Sequence, residues 1–367
     1  MLLTIVSFLV ILTVLVLIHE FGHFMAARII GVRVEEFGLG LPPMIFGKKI
    51  GDTIYSLNWL PIGGFVRLAG EDEAGAVKSG VSMSKQRQYF WARSKKERAV
   101  ILSAGVLMNF LLAVGITMFL LVHGVKEPVG RIHVESVMAG TPASAAGFQV
   151  NDILSDLTVV STTLQQITIH HPTETGDVIQ FTHTNAGKSI DIVVERSGVS
   201  HHLSLVPRAN PPKGQGPMGI AISNLEVHRY SMSEAPGKAL FITFTRVRDM
   251  LVSLGTTVAR LATLRAPQSD VAGPIGIAQV TGQAVKFGWE AVLEFASILS
   301  LNLAVLNILP IPALDGGRLA FVFLEKIFRR RVNPVFERNA HQIGMIVLLV
   351  LIVLVSINDI LRLARGG

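Results

Sequence analysis

Residues 2–28, LLTIVSFLVILTVLVLIHEFGHFMAAR, are long and apolar enough to cross a bilayer, yet they carry His19, Glu20 and His23 near their end. A charged side chain at the centre of a membrane helix costs about 3 kcal/mol even on the lenient insertion scale. These groups therefore need one another, or a hydrated cavity. On a helix the two histidines, four positions apart, stand one turn above each other on one face. The spacing is that of the HExxH pattern, in which two imidazoles bind zinc and the glutamate serves as general base. What this stretch lacks is a third ligand at matching depth.

Composition favours a membrane protein. Half of the 367 residues are hydrophobic, 16% are charged, and mean hydropathy is +0.51. A soluble domain carries about 25% charge, and the apolar residues here fall in blocks. The absence of cysteine excludes thiol catalysis, disulfides and thiolate zinc sites. A net charge of +7 could suit nucleic acid, but the basic residues flank the apolar blocks, so topology explains them and no nucleic-acid partner is expected.

No Lys or Arg precedes Arg28, whereas Arg28, Arg33, Lys48 and Lys49 follow the first block. The positive-inside rule then orients it with the N-terminus outside and the HExxH end at the cytoplasmic face, as a retained helix and not a signal peptide. The chain divides accordingly. A first span over 1–28 leads into a basic cytoplasmic loop over 29–98 and a second span over 99–123. The lone amide of that second span, Asn109, either glues helices together or faces the active cavity. A soluble β-rich unit covers 124–208, and a linker with an interfacial amphipathic helix covers 209–290. On that helix Thr243, Arg246 and Asp249 share one face and Leu240, Phe244 and Val247 the other. A third span over 291–317 carries Asn302 and Asn307 and is broken by Pro310 and Pro312. A basic loop over 318–340 holds Arg329-Arg330-Arg331, and a fourth span over 341–362 returns the C-terminus outside. The expected fold is an α-helical membrane protein with four transmembrane helices.

Within the first loop, Tyr55, Leu57 and Trp59 alternate with Ser56 and Asn58, which predicts a strand. Pro61-Ile62-Gly63-Gly64 should turn the chain into a returning partner, Phe65–Leu68, giving a hairpin close to the membrane. It is either a small structural sheet or an edge that pairs with an extended peptide. In the soluble unit, Gly130–Val137, Val178–Thr182, Ile190–Glu195 and Leu203–Val206 read as strands and Ser161–His170 as a helix. Thr141-Pro142 through Gly147 reads as a short capped helix. The pairs His170-His171 and His201-His202 point in different directions on any regular element and are expected at the surface.

With this topology His19 lies roughly 13 Å inside the basic flank that begins at Arg28. Asp315 ends a span of the same direction, and the prolines before it let its segment fold back into the bundle. Irregular backbone at that depth requires a protein or wet cavity around it. His19, His23 and Asp315 would leave a fourth zinc position open, as a catalytic site requires. Zinc there acidifies water and polarises a carbonyl, and Glu20 is placed to move the proton. Asn302 and Asn307 are candidates for hydrogen bonds to substrate backbone or the oxyanion, or for stabilising the broken helix.

HEFGH at 19–23, FGLGLPP at 37–43, PIGGFVRL at 61–68, GPIGIA at 273–278 and NILPIPALDGG at 307–317 resemble the site-2 protease family of intramembrane zinc metalloproteases, in its bacterial regulator of sigma-E branch. PASAAGF followed by Asp152-Ile153 is similar to a PDZ domain. The resemblance implies Zn2+ held by His19, His23 and Asp315, with Glu20 as catalytic base. It implies that the hairpin near 54–68, with Tyr55, Leu57, Gly63 and Gly64, holds substrate as an extended strand. Implied partners are membrane lipid, single-span transmembrane substrates such as an anti-sigma factor, and an upstream site-1-type protease that trims them. The implied location is the bacterial inner membrane, with the PDZ-like unit outside as a filter. The alternative is a non-catalytic, zinc-binding membrane scaffold that presents a PDZ domain.

Overall fold

A computed structural model of the chain describes residues 2–71, 86–159, 168–212, 214–263 and 273–364. The chain forms two compact units, one of Met1–Leu120 with Ser231–Gly367 and one of Leu121–Tyr230.

The first unit opens with α1 (Leu2–Ile30), β1 (Val34–Ile50), β2 (Thr53–Leu68) and α2 (Lys95–His123). Among the described residues four helices are long and apolar enough to cross a membrane. They lie at Leu3–Ile30, Lys95–His123, Trp289–Ile308 and Val335–Leu361. The second and third of these are the more enclosed by protein. A small core of Ala27, Val32, Val34, Leu68, Phe90 and Ile101 ties α1, the sheet and α2 together at the end of α1 that carries the histidines.

The sheet in this unit departs from the expected hairpin. β2 runs without a turn from Thr53 to Leu68, and the tight turn is at Gly51-Asp52, closing the Ile50–Thr53 pair. Both strands bend, so that Met44–Ile50 pairs with Thr53–Asn58 while Val34–Leu39 lies between Ile54–Leu57 and Gly64–Leu68. The segments 53–60 and 65–68 thus do not partner each other. The Pro-Gly cluster at 61–64 serves as a bend, with Gly63 at φ 75°, where local turn chemistry alone suggested a reversal.

The sheet is also inside out relative to a hairpin in water. Thr53, Ser56 and Asn58 are buried, while Leu57, Trp59 and Leu60 are exposed together with Met44, Ile45 and Phe46. The buried hydroxyl of Ser56 donates to Glu36 Oε1 at 2.6 Å, and Asn58 Nδ2 donates to the carbonyls of Leu39 and Gly40 at 3.3 Å. An apolar exterior over a hydrogen-bonded polar interior suits an acyl-chain solvent.

The second unit contains β3 (Val125–Val137), α3 (Pro142–Ala146), β4 (Ile153–Val159), β5 (Thr168–His170), α4 (Thr175–Thr184), β6 (Ile190–Arg196), β7 (Val199–Leu205) and β8 (Ile220–His228). The sheet order is β7-β6-β4-β3-β8, with β5 added on β4. Ile190, Ile192 and Val194 are buried at period two and meet Ile132, Leu154, Leu157 and Phe181 in one core. The capped helix forms as expected: Thr141 Oγ1 accepts from Ser144 N, and Gly147 takes φ 87°.

Two expectations fail in this unit. Val178–Thr182 is helical, because Val178 and Phe181 bury one helical face and the Thr182 hydroxyl donates back to the Val178 and Ile179 carbonyls. Of the expected helix Ser161–His170, residues 161–167 lie outside the described set, and Thr168–His170 is a strand paired with Asp156–Thr158. Asp152 is fully buried and receives Arg196 Nε and Nη2 at 2.7 Å and Gln149 N at 2.8 Å. Burial raises its carboxyl pKa, but the guanidinium and the amide outweigh that and hold it below the usual range.

The first unit resumes with α5 (Ala235–Ala262), α6 (Pro274–Phe287), α7 (Trp289–Ile308), α8 (Asp315–Phe328) and α9 (Pro334–Ala364). α5 repeats the inversion of the sheet. Thr243 is fully buried and Arg246 pairs with Glu294 of α7 at 2.8 Å, while Phe241 and Phe244 are exposed. α6 falls within the stretch 209–290, where composition predicts a linker and one amphipathic helix. Its first turn is held by Asp359 of α9, whose carboxylate accepts from Gly273 N at 3.3 Å and Gly276 N at 2.9 Å. The region read as a basic loop over 318–340 is largely α8 and the first turns of α9.

Candidate metal centre

The polar residues of α1 converge with one carboxylate from across the unit. His19 Nε2 lies 2.9 Å and His23 Nε2 3.1 Å from Asp315 Oδ2, and the two Nε2 atoms are 3.2 Å apart. Both histidines are under 10% exposed. Three lone-pair atoms directed at one another repel unless protons or a cation lie between them. Tetrahedral ligands at about 2.05 Å from zinc would stand about 3.3 Å apart, close to the spacing here. The donor set therefore fits a divalent cation with one further position for a non-protein ligand.

Each component is held from behind. His23 Nδ1 lies 2.8 Å from the Ile101 carbonyl, so Nδ1 carries the proton and Nε2 keeps its lone pair for the centre. Gly105 of α2 supplies the space: a Cβ there would collide with His23 Nε2 and come within 2.8 Å of the His19 ring. Asp315 stands at the first position of α8, after the irregular segment that follows α7. Gly316 lets that helix start against the preceding loop, since a Cβ would run into the Ile308 and Leu309 carbonyls. Ala313 in this loop holds φ 84°, a conformation that costs of order 1 kcal/mol for a non-glycine residue. His341 of α9 secures it by accepting from Ala313 N at 2.9 Å.

Glu20 faces the same place. Its Oε2 accepts from Val66 N at 3.0 Å, which ties the carboxylate to the sheet segment Gly64–Leu68. A cavity of about 610 Å³ opens here, lined in part by Glu20, His23, Phe65, Val66, Asp315 and Arg318. Arg318 pairs with Glu71, whose other oxygen accepts from Leu68 N at 3.3 Å.

The structure thus gathers His19, Glu20, His23 and Asp315. Gly63 and Gly64 pack against Val16 and Leu17 of α1, just before His19. Tyr55 joins an aromatic cluster with Phe24 and Phe37, and Leu57 points outward. Asn302 and Asn307 are half-buried on α7, and neither they nor Tyr55, Leu57, Gly63 and Gly64 line the cavity. Of the two readings open for Asn109, the cavity side gains an observation: its fully buried amide lies 3.4 Å from His19 Nδ1. Its spacing four residues after Gly105, in a span with no other amide, was the available signal. His341 and Asp359 were missed. Each stands among other polar residues, His341 between Asn339 and Gln342 and Asp359 after Ser356 and Asn358, so neither is marked out in the sequence as His19 is.

Comparison with known proteins agrees with this geometry. The chain matches the model of peptidase family M50 over residues 7–351. It is 28% identical to the zinc metalloprotease RasP of Oceanobacillus iheyensis, over 98% of this chain and 99% of the relative. It is 31% identical to the putative zinc metalloprotease FN1322 of Fusobacterium nucleatum, over 96% and 97% of the two chains. With the regulator of sigma-W protease RasP of Bacillus subtilis it shares 27% identity over 98% and 99%. With a family match over nearly its whole length and the HExxH helix meeting a distant aspartate inside it, the chain belongs to peptidase family M50, the site-2 protease family of metalloendopeptidases.

Proposed function

We propose that this protein is an intramembrane zinc metalloprotease that hydrolyses a peptide bond within the transmembrane segment of single-span membrane proteins. The observation that carries the reading is the meeting of His19, His23 and Asp315 at one point beside Glu20, on a helix apolar enough to span. Zinc bound by these three residues would supply Lewis-acid polarisation of the scissile carbonyl and a more acidic water. Glu20 takes the proton as the water oxygen attacks the carbonyl carbon, then delivers it to the amine nitrogen as the C–N bond breaks. Its hydrogen bond from Val66 N keeps the carboxylate oriented toward the cavity. Leu68 N likewise points at a carboxylate, that of Glu71, and not at β1, so this edge would take a substrate drawn out as a strand by exchanging the Glu71 contact for one to the substrate backbone while Val66 N stays on Glu20. Tyr55, Leu57, Gly63 and Gly64 would shape that sheet, and Asn302 and Asn307 would steady the substrate backbone beside α7.

The charge pattern favours insertion in a bacterial inner membrane with both termini outside and the centre near the cytoplasmic face. The PDZ-like unit would then lie outside as a filter. The Bacillus subtilis relative is a regulator of sigma-W protease, and the substrate class assigned to this chain is correspondingly an anti-sigma factor, trimmed beforehand by a site-1-type protease. Glu20→Gln is the test. Cleavage of a single-span reporter in proteoliposomes should fall by at least about 10²-fold while bound zinc stays at the wild-type level. Undiminished cleavage by Glu20→Gln would refute Glu20 as the base and with it this mechanism, and a zinc-loaded wild type that cleaves nothing would leave a zinc-holding scaffold.

A further inference from the structure

Asn109 is a fully buried amide, the one amide side chain of α2, in a run of mostly apolar residues. It is four residues after Gly105, so both positions lie on the face of α2 turned to His19. The backbone beside it is fastened. Ser300 Oγ of α7 donates to the Asn109 carbonyl at 2.8 Å, and one turn further on Ser297 Oγ donates to the Ala113 carbonyl at 3.2 Å. Helix packing is thus already served by the two serines, and the side-chain amide is left for another purpose. That amide lies 3.4 Å from His19 Nδ1, and its Oδ1 is buried with no hydrogen-bond partner.

The imidazole fixes which amide atom belongs at Nδ1. His19 turns Nε2 to Asp315 and His23, so for Nε2 to bind a cation the single proton of the neutral ring must sit on Nδ1. A proton there needs an acceptor, and a half-turn of the Asn109 amide brings the unpartnered Oδ1 to it. His23 has the matching arrangement, with the Ile101 carbonyl as acceptor behind its Nδ1. The two ligands would then be held by the same device, one from backbone and one from side chain.

We infer that Asn109 is a positioning residue for the metal centre, accepting the Nδ1 proton of His19 and so directing its Nε2 lone pair at the cation. The inference rests on the metal reading proposed above. It is tested on the full chain in detergent by competing zinc away with a chelator of known affinity, for wild type, Glu20→Gln, Asn109→Leu, Asn109→Ala and Asn109→Asp. Asn109→Leu and Asn109→Ala should bind zinc about 10–100-fold more weakly. Asn109→Asp, which restores an acceptor at the same reach, should stay within about threefold of wild type, as should Glu20→Gln. Wild-type affinity in Asn109→Leu or Asn109→Ala would overturn the inference alone. So would equal weakening in Asn109→Asp, because that would mark a packing role. A wild type that holds no zinc would overturn the metal reading and the inference with it.

Discussion

Gly105→Ala should damage the centre out of proportion to its size. The new Cβ would lie 2.8 Å from His19 Cε1 and Nε2, and closer to His23 Nε2. Carbon and ring atoms rest at about 3.5 Å, so His19 would have to give way by roughly 0.7 Å and His23 by roughly 1.2 Å. His23 cannot retreat without leaving the Ile101 carbonyl, and His19 cannot without leaving Asp315. Ligand distances to zinc tolerate only about 0.2 Å. A misplacement approaching 1 Å at a reacting centre costs about 10²-fold, which is about 2.7 kcal/mol. We expect reporter cleavage to fall by about 10²-fold and zinc affinity by at least about tenfold. Gly115→Ala, on the same helix with nothing within 4 Å of the built Cβ, is the control. It should keep both properties and stabilise the helix by about 1 kcal/mol, less any specific packing loss. Metal content per chain after chelation, with initial rates on a membrane-embedded reporter, reads both variants. Wild-type zinc retention and turnover in Gly105→Ala would refute the close approach of α2 to the histidines.

Two further outcomes follow from groups away from the centre. Asp359→Ala leaves Gly273 N and Gly276 N without their acceptor and should loosen the start of α6 by about 1–3 kcal/mol, with Asp359→Asn intermediate. Amide exchange over Pro274–Phe287 reads this, and unchanged protection would show that the carboxylate does not anchor the helix. Asp152 has a folded-state pKa below its unfolded value of about 3.9, so its contribution is fully present above that pH and is lost as pH falls through the folded value. Asp152→Asn should lower the urea midpoint of the Leu121–Tyr230 unit at neutral pH, by about 2 kcal/mol in stability. It should also flatten the decline of that midpoint toward acid. An unaltered acid slope would show that the Asp152–Arg196 pair is not its source.

The meeting place of His19, Glu20 and His23 was legible because these residues leave a local mark: two histidines and a glutamate where hydrocarbon is expected. Asp315 was also legible, since prolines and its place at the end of a span supplied both depth and a route inward. The four spans followed from hydropathy, which needs no tertiary information. What escaped were features that depend on remote partners. Residues 53–60 look like half of a hairpin with 65–68, but their neighbours are 44–50 on one side and 34–39 on the other, set by the bends of both strands. Val178–Thr182 has β-branched and aromatic residues suited to a strand, yet tertiary burial of Val178 and Phe181 at helical spacing prevails. α6 has neither the length nor the apolarity of a span, and its N-terminal acceptor, Asp359, lies far away in sequence.

The inverted sheet bears on how this chain could be engineered. In a hairpin bathed in water, exposed positions accept almost any polar residue and the interior tolerates only well-packed apolar ones. Here the vulnerable interior is Ser56, Asn58 and Glu36, whose hydrogen bonds would be orphaned by an apolar replacement. Met44, Phe46, Trp59 and, on α5, Phe241 make up the outer coat. A water-soluble version would therefore begin by recolouring that coat with Lys and Glu while leaving the polar seam untouched, the reverse of the usual recipe for stabilising a soluble protein.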